Sequence, residues 1–105
     1  MYRPLPDGLT IKASKVQGLG LFATQDFEAD TVLGIVHIAN KNFPHGYIRT
    51  ALGAFYNHSE NPNCIVETKD NLNLIIANVD IMRGEEITVD YREQPYLEQP
   101  KEDWV

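Results

Sequence analysis

Cysteine is nearly missing from these 105 residues. The one thiol, Cys64, allows no internal disulfide framework and no zinc site of the CxxC…CxxC type. A reducing compartment is the simplest expectation. The first residues, Met1-Tyr2-Arg3-Pro4-Leu5-Pro6, form no apolar h-region, so secretion is not expected. No apolar run approaches the roughly 18 residues of a membrane-spanning helix, so no membrane partner is expected. Positive charge is also short. Nine Lys and Arg face fifteen Asp and Glu, a formal net charge of −6. That field disfavours sequence-independent binding to phosphate backbones and favours a basic partner, although it also simply keeps a small protein soluble.

Sustained 3.6-residue apolar periodicity is absent too, which argues against a helical protein. Short runs rich in Val, Ile, Thr and aromatics stand between glycines and prolines instead, the pattern of a mainly β chain. Strands are expected at Leu9–Ala13, Leu21–Ala23, Thr31–Ile38, Cys64–Thr68, Leu72–Val79 and Glu86–Tyr91. One short helical turn is expected at Ile48–Phe55. Lys69-Asp70-Asn71 marks a hairpin turn within 64–79. Leu72, Leu74 and Ile76 predict one strongly apolar face on the second strand of that hairpin.

The chain echoes itself faintly. Asp26-Phe27-Glu28-Ala29-Asp30-Thr31-Val32 resembles Asp80-Ile81-Met82-Arg83-Gly84-Glu85-Glu86. Each has Asp, a large apolar residue and a polar or Gly turn before a strand, suggesting a pseudo-duplicated β architecture. Residues 1–91 read as one core. Residues 92–105 differ in character, with Pro95, Pro100 and four acidic residues. Tyr96, Leu97 and Trp104 lie among them. Aromatics are unfavourable in water, so part of this tail is expected to dock on the core.

Three segments could carry chemistry. Gly18-Leu19-Gly20-Leu21-Phe22-Ala23 offers a glycine pair that lets the backbone approach a ligand, or makes an ordinary tight turn. It lacks the third glycine and the helix of a dinucleotide fingerprint. Phe55-Tyr56-Asn57-His58-Ser59-Glu60-Asn61-Pro62-Asn63-Cys64 is a dense polar loop after an apolar approach, able to bond its own backbone. His37, His45, His58 and Cys64 have no recognised ligand spacing, so no metal is expected. A Cys64–His58 nucleophile pair competes there with a buried, inert thiol. Gly84-Glu85-Glu86-Ile87-Thr88-Val89-Asp90-Tyr91 is a Gly turn entering a strand that ends in Tyr.

In this order the three segments resemble the SET-domain protein lysine methyltransferases, over roughly residues 9–91. Asn57-His58-Ser59-Glu60-Asn61-Pro62-Asn63 is the most specific part of the match, and among such proteins the chain looks most like the minimal, stand-alone viral and bacterial type. The resemblance implies a β-clip-like SET fold of short twisted sheets, with knot-like threading near the site and one or two short helical turns. It implies S-adenosylmethionine as methyl donor, held by Gly18, Leu19 and Gly20 at its methionine part. Asn57 and His58, with neighbouring Tyr56, would hold the methionine amine and the adenine. It implies Tyr91 as the catalytic residue beside the transferring methyl. Phe55, Val89, Tyr47, Tyr96 and Trp104 would line or close a lysine channel.

The expected substrate is a basic, lysine-containing protein or peptide, histone-like or other, and the expected location is cytoplasmic or nuclear. The competing reading is a non-catalytic SET-fold module that binds a peptide or S-adenosylmethionine. Some features depart from the family pattern. Val89 stands where an aromatic is often found, and Glu60 where many members have Cys. The zinc-binding cysteine cluster that closes the channel elsewhere is missing. The 39–54 insert is very short, so a second copy of the chain could complete the groove as a homodimer.

Overall fold

A computed structural model describes residues 5–15, 18–43 and 46–91. The expected tail docking, with Tyr96 and Trp104, falls outside them. Among the described residues, eight strands form three sheets. β1 (Leu9–Ala13) and β2 (Leu19–Ala23) make an antiparallel hairpin. β3 (Val32–Ala39), β4 (Tyr47–Arg49), β6 (Cys64–Lys69) and β7 (Leu72–Ala77) form a four-stranded sheet in the order β4-β3-β7-β6. β5 (Asn57–His58) and β8 (Thr88–Val89) pair in parallel. The core gathers Leu9, Leu21, Val36, Leu52, Ile75, Ile81, Ile87 and Val89 from all three sheets.

The strand-rich expectation holds, with differences of cause. The helical turn expected at 48–55 shrinks to a 3-10 turn at Leu52–Ala54, because Tyr47–Arg49 adds to the edge of β3. The Thr50 hydroxyl accepts from the Gly53 N–H (3.1 Å) and donates to the Ile35 carbonyl (2.7 Å), fixing the turn against β3. Any side chain at Gly53 would overlap the Val36 carbonyl. The strand expected at 86–91 narrows to Thr88–Val89, because its start is diverted to a side-chain network described below.

The apolar face expected on β7 is not the one that enters the core. Asn73, Ile75 and Ala77 point to the core, while Leu72, Leu74 and Ile76 lie half-buried on the outer face. Asn73 can face inward because its Oδ1 accepts from the Thr68 hydroxyl across the hairpin (2.6 Å), which satisfies a polar atom that burial would otherwise penalise.

The sequence echo is a structural dyad. Phe27 and Ile81 exchange two backbone hydrogen bonds, both 2.8 Å. The Asp80 carboxylate accepts from the Ala29 N–H (2.9 Å), and Asp26 accepts from the Arg83 N–H (2.8 Å). Asp30 N–H donates to Ala77 O, and Gly84 N–H donates to Ala23 O. Asp30 and Gly84 both take the left-handed conformation (φ 71° and 95°), which Gly adopts freely and Asp tolerates. Each half is therefore a hairpin followed by an Asp-led turn, and each turn completes the other.

Candidate active site

The site lies where the end of the second half crosses the first hairpin. β5 and β8 are only two residues long, yet they pair 57 with 88 and 58 with 89, and the Ser59 N–H extends the ladder to Val89 O (3.1 Å). From the other side, Asn63 donates its side-chain amide to Glu86 O (2.7 Å) and accepts from the Thr88 N–H (3.0 Å). One loop thus grips the 86–89 segment on both sides. This is why an Asn-rich loop stands here: its amides replace the strand neighbours that so short a strand lacks.

Tyr91 follows directly. Its hydroxyl donates to the Tyr56 carbonyl (2.8 Å), and its backbone N–H donates to His58 Nδ1 (3.0 Å). Its ring meets the Tyr56 ring edge-on at 5.7 Å and the His58 ring at 5.2 Å. The Asp90 carboxylate stands 3.8 Å from His58 Nδ1. An Nδ1 that accepts the Tyr91 backbone proton cannot also donate to that carboxylate. Burial pushes the Tyr91 hydroxyl above its ordinary pKa, outweighing the opposing pull of the Arg49 charge, and the Glu86 charge adds a lesser push upward. Tyr91 is thus a neutral phenol at physiological pH.

On the other flank, Gly18 takes φ 51° and Leu19 is exposed, while Gly20 is buried. The Asn57 amide nitrogen donates to Glu86 Oε2 (2.7 Å) and Ser14 Oγ (3.1 Å), and reaches Leu19 O at 3.4 Å. The glycine turn, the Asn-His loop and Tyr91, far apart in sequence, therefore meet through named hydrogen bonds.

The remaining expected residues divide. Val89 is fully buried in the core. Phe55 is half-buried against that core at the end of the 3-10 turn. Tyr47 is one step removed. It packs edge-on against His37 at 4.7 Å, and His37 lies 6.2 Å from the Tyr56 ring. His37 itself is completely buried, and its pKa is lowered to about 4 by burial first and the Arg49 charge second. Cys64 is buried in the core with its thiol pushed up to about 12, which favours the inert reading of that residue over a nucleophile. Sequence reasoning passed over Ser14 and the individual role of Glu86. Glu86 had a signal: of the adjacent Glu85 and Glu86 entering a strand, alternation turns one inward. Ser14 had none.

The SET-domain family model matches residues 36–92, more than half of the chain. Histone-lysine N-methyltransferase trr of Drosophila melanogaster is 29% identical over 110 residues, covering 75% of this chain and 4% of its own length. Histone-lysine N-methyltransferase 2D of Homo sapiens is 31% identical with 75% and 2% coverage, so the chain spans a very small part of either relative. A crystal structure of a Plasmodium falciparum candidate histone methyltransferase superposes with a TM-score of 0.63 at 25% identity, covering 80% of this chain and 92% of that one. A humanized mutant of Chaetomium thermophilum Polycomb Repressive Complex 2 gives 0.66 at 18% identity, covering 82% and 15%, a likeness of fold. With the family match spanning the 3-10 turn, the Asn-His loop and Tyr91, the chain belongs to the SET-domain family.

Proposed function

We propose that the protein transfers a methyl group from S-adenosylmethionine to the side-chain amine of a lysine in a basic protein or peptide. The observation that carries this reading is the double attachment of Tyr91, by hydroxyl and backbone, to the Tyr56–His58 segment. The names of the curated relatives support it. The residues present suit the donor. The glycine turn leaves backbone exposed, and a Cβ at Gly18 would meet nothing within 4 Å. The Asn57 side chain, its nitrogen turned to Glu86, offers an acceptor to a molecule carrying an ammonium and a sulfonium.

When bound, the donor would supply a methyl group already activated on positive sulfur. The chain's own task is then alignment. Reacting atoms must be held about 3 Å apart and in line. A lysine, with an ordinary pKa near 10.4, must first lose its proton, and an apolar channel beside a fixed positive charge favours that loss. Tyr91 is not the base, since its neutral phenol has no proton-accepting charge at physiological pH. Its proton is donated to Tyr56 O, so its oxygen acts elsewhere as an acceptor, suited to polarised methyl C–H groups. The excess of acidic residues matches a basic substrate, and a second copy of the chain completing a shallow groove belongs to this reading.

Labelled methyl transfer onto a panel of basic proteins, read by mass spectrometry, tests the proposal. Wild-type protein is expected to label lysines, and Tyr91→Phe is expected to lose about 100-fold or more in kcat with donor affinity nearly kept. Donor binding in calorimetry without any transfer would make the chain a binding module. A flat titration of folded protein would remove the methyltransferase reading.

A further inference from the structure

The Glu86 side chain ties several parts of the site together, and the proposed chemistry gives it no direct part. Its carboxylate accepts from the Ser14 hydroxyl, at 2.9 Å to Oε1 and 2.8 Å to Oε2, and from the Asn57 amide nitrogen at 2.7 Å. Its backbone bridges to Phe22, and its carbonyl accepts from Asn63. It also explains Gly20. A Cβ on Gly20 would overlap Glu86 Oε2, so the second glycine of the turn makes room for this carboxylate. Four separate stretches of chain converge on one residue.

The chemistry of the two groups fixes their orientation. An ionised carboxylate only accepts hydrogen bonds, whereas an Asn amide has a donor end and an acceptor end of nearly the same shape. Every polar atom around Asn57 Nδ2 named above is an acceptor: a carboxylate, a hydroxyl oxygen and a backbone carbonyl. The amide therefore cannot turn over without setting its carbonyl against that carboxylate.

We propose that Glu86 is a positioning residue that locks the Asn57 amide, nitrogen toward Glu86, so that Asn57 serves a ligand only as a carbonyl acceptor. The site thereby selects a cationic donor group, an ammonium, over a carboxylate or neutral acceptor. This rests on the methyl-transfer reading for its consequence, but not for the lock itself. Ser14 holds the carboxylate against Gly20.

Two measurements separate these. In ligand-free protein, the side-chain NH2 resonances of Asn57 are read by 15N-resolved NMR in wild type, Glu86→Gln and Ser14→Ala. Gln keeps the size of Glu but has both donor and acceptor ends, so it tolerates either orientation of Asn57. The Asn57 amide protons are expected to be hydrogen-bond shifted in wild type, to move sharply in Glu86→Gln, and to move less in Ser14→Ala, with folded spectra throughout. Unmoved Asn57 signals in folded Glu86→Gln overturn the lock.

Calorimetry with S-adenosylmethionine reads the consequence. Glu86→Gln is expected to weaken binding about tenfold, and to raise donor KM more than it lowers kcat. Asn57→Ala is expected to weaken binding similarly, and the double variant no further, since the two act as one unit. Additive losses, or unchanged affinity in Glu86→Gln, overturn the selecting role. If wild-type protein fails to bind the donor, the methyl-transfer reading falls, and the NMR comparison still decides the lock.

Discussion

The two halves share a frame and differ in what lies against their second strand. In the second half, β7 is flanked on its far side by the eight-residue β3, and β4 widens the sheet to four strands. In the first half, the equivalent edge of β2 receives no full strand, but the Phe22–Glu86 bridge and three backbone hydrogen bonds at residues 84–87: Gly84 N to Ala23 O, Ala23 N to Glu85 O and Ile87 N to Leu21 O. The chain then leaves to pair with β5. What would be a strand partner is replaced by a carboxylate side chain resting on Gly20. At the matching place in the second half stands Leu74, paired with Ile35. The halves teach that withholding a strand leaves a polar cluster where its partner half packs apolar side chains. Where pairing is complete, the chain packs apolar residues. Where it is interrupted, glycines and polar side chains remain.

The sharpest contrast is Gly20→Ala against Leu74→Ala. The new methyl at position 20 displaces Glu86, and donor affinity is expected to fall by about 100-fold. Leu74→Ala removes half-buried surface, so a loss of roughly 1–2 kcal/mol of stability with unchanged affinity is expected. Calorimetry and denaturant titration of both variants check this. Equal effects on affinity would erase the distinction between the halves.

A second effect belongs to the larger sheet. His37 is buried on β3 with its pKa lowered from the ordinary 6.5 to about 4, so acid protonates the unfolded chain first. Its contribution is complete above about pH 6.5 and is lost as the pH falls toward 4, a decline of roughly 2–3 kcal/mol. Denaturant titration across that window, with His37→Asn showing a flatter profile, measures it.

The smallest effects test where the halves are alike. Asp26→Ala and Asp80→Ala each remove a carboxylate from a backbone N–H in the opposite turn. Each is expected to lower stability by about 1 kcal/mol, with Asn at either place losing less. Markedly unequal losses in thermal melts would show that the dyad is geometric and not energetic.

The sequence carried much of this arrangement. The first hairpin, β3 and the β6–β7 hairpin were visible as β-branched runs between turn residues, and the Asp-led echo marked the dyad before any coordinates. The glycine turn, Asn57-His58 and Tyr91 were readable because their order in the chain resembles a known family. Three features were hidden for physical reasons. The core face of β7 was not legible, because Asn73 becomes apolar in effect only once Thr68 satisfies it. β5 has two residues and exists by pairing with a strand thirty positions away, which no local propensity announces. The Glu86 network joins side chains from the ends of three separate elements, and residue type alone does not say which of two adjacent glutamates turns inward.

The crossed turns have a bearing on how the chain reaches its fold. Asp80 reaches back 51 residues to Ala29, and Asp26 reaches forward 57 residues to Arg83. Neither turn can close while the other is missing. A chain emerging from the ribosome through residue 60 holds one hairpin and an open turn, with Leu9, Leu21 and Phe27 lacking the partners that Ile75, Ile81 and Ile87 provide. Pairings so distant slow folding and make it all-or-none. The protein is expected to fold after synthesis, as a single event, with its site assembled in the last step.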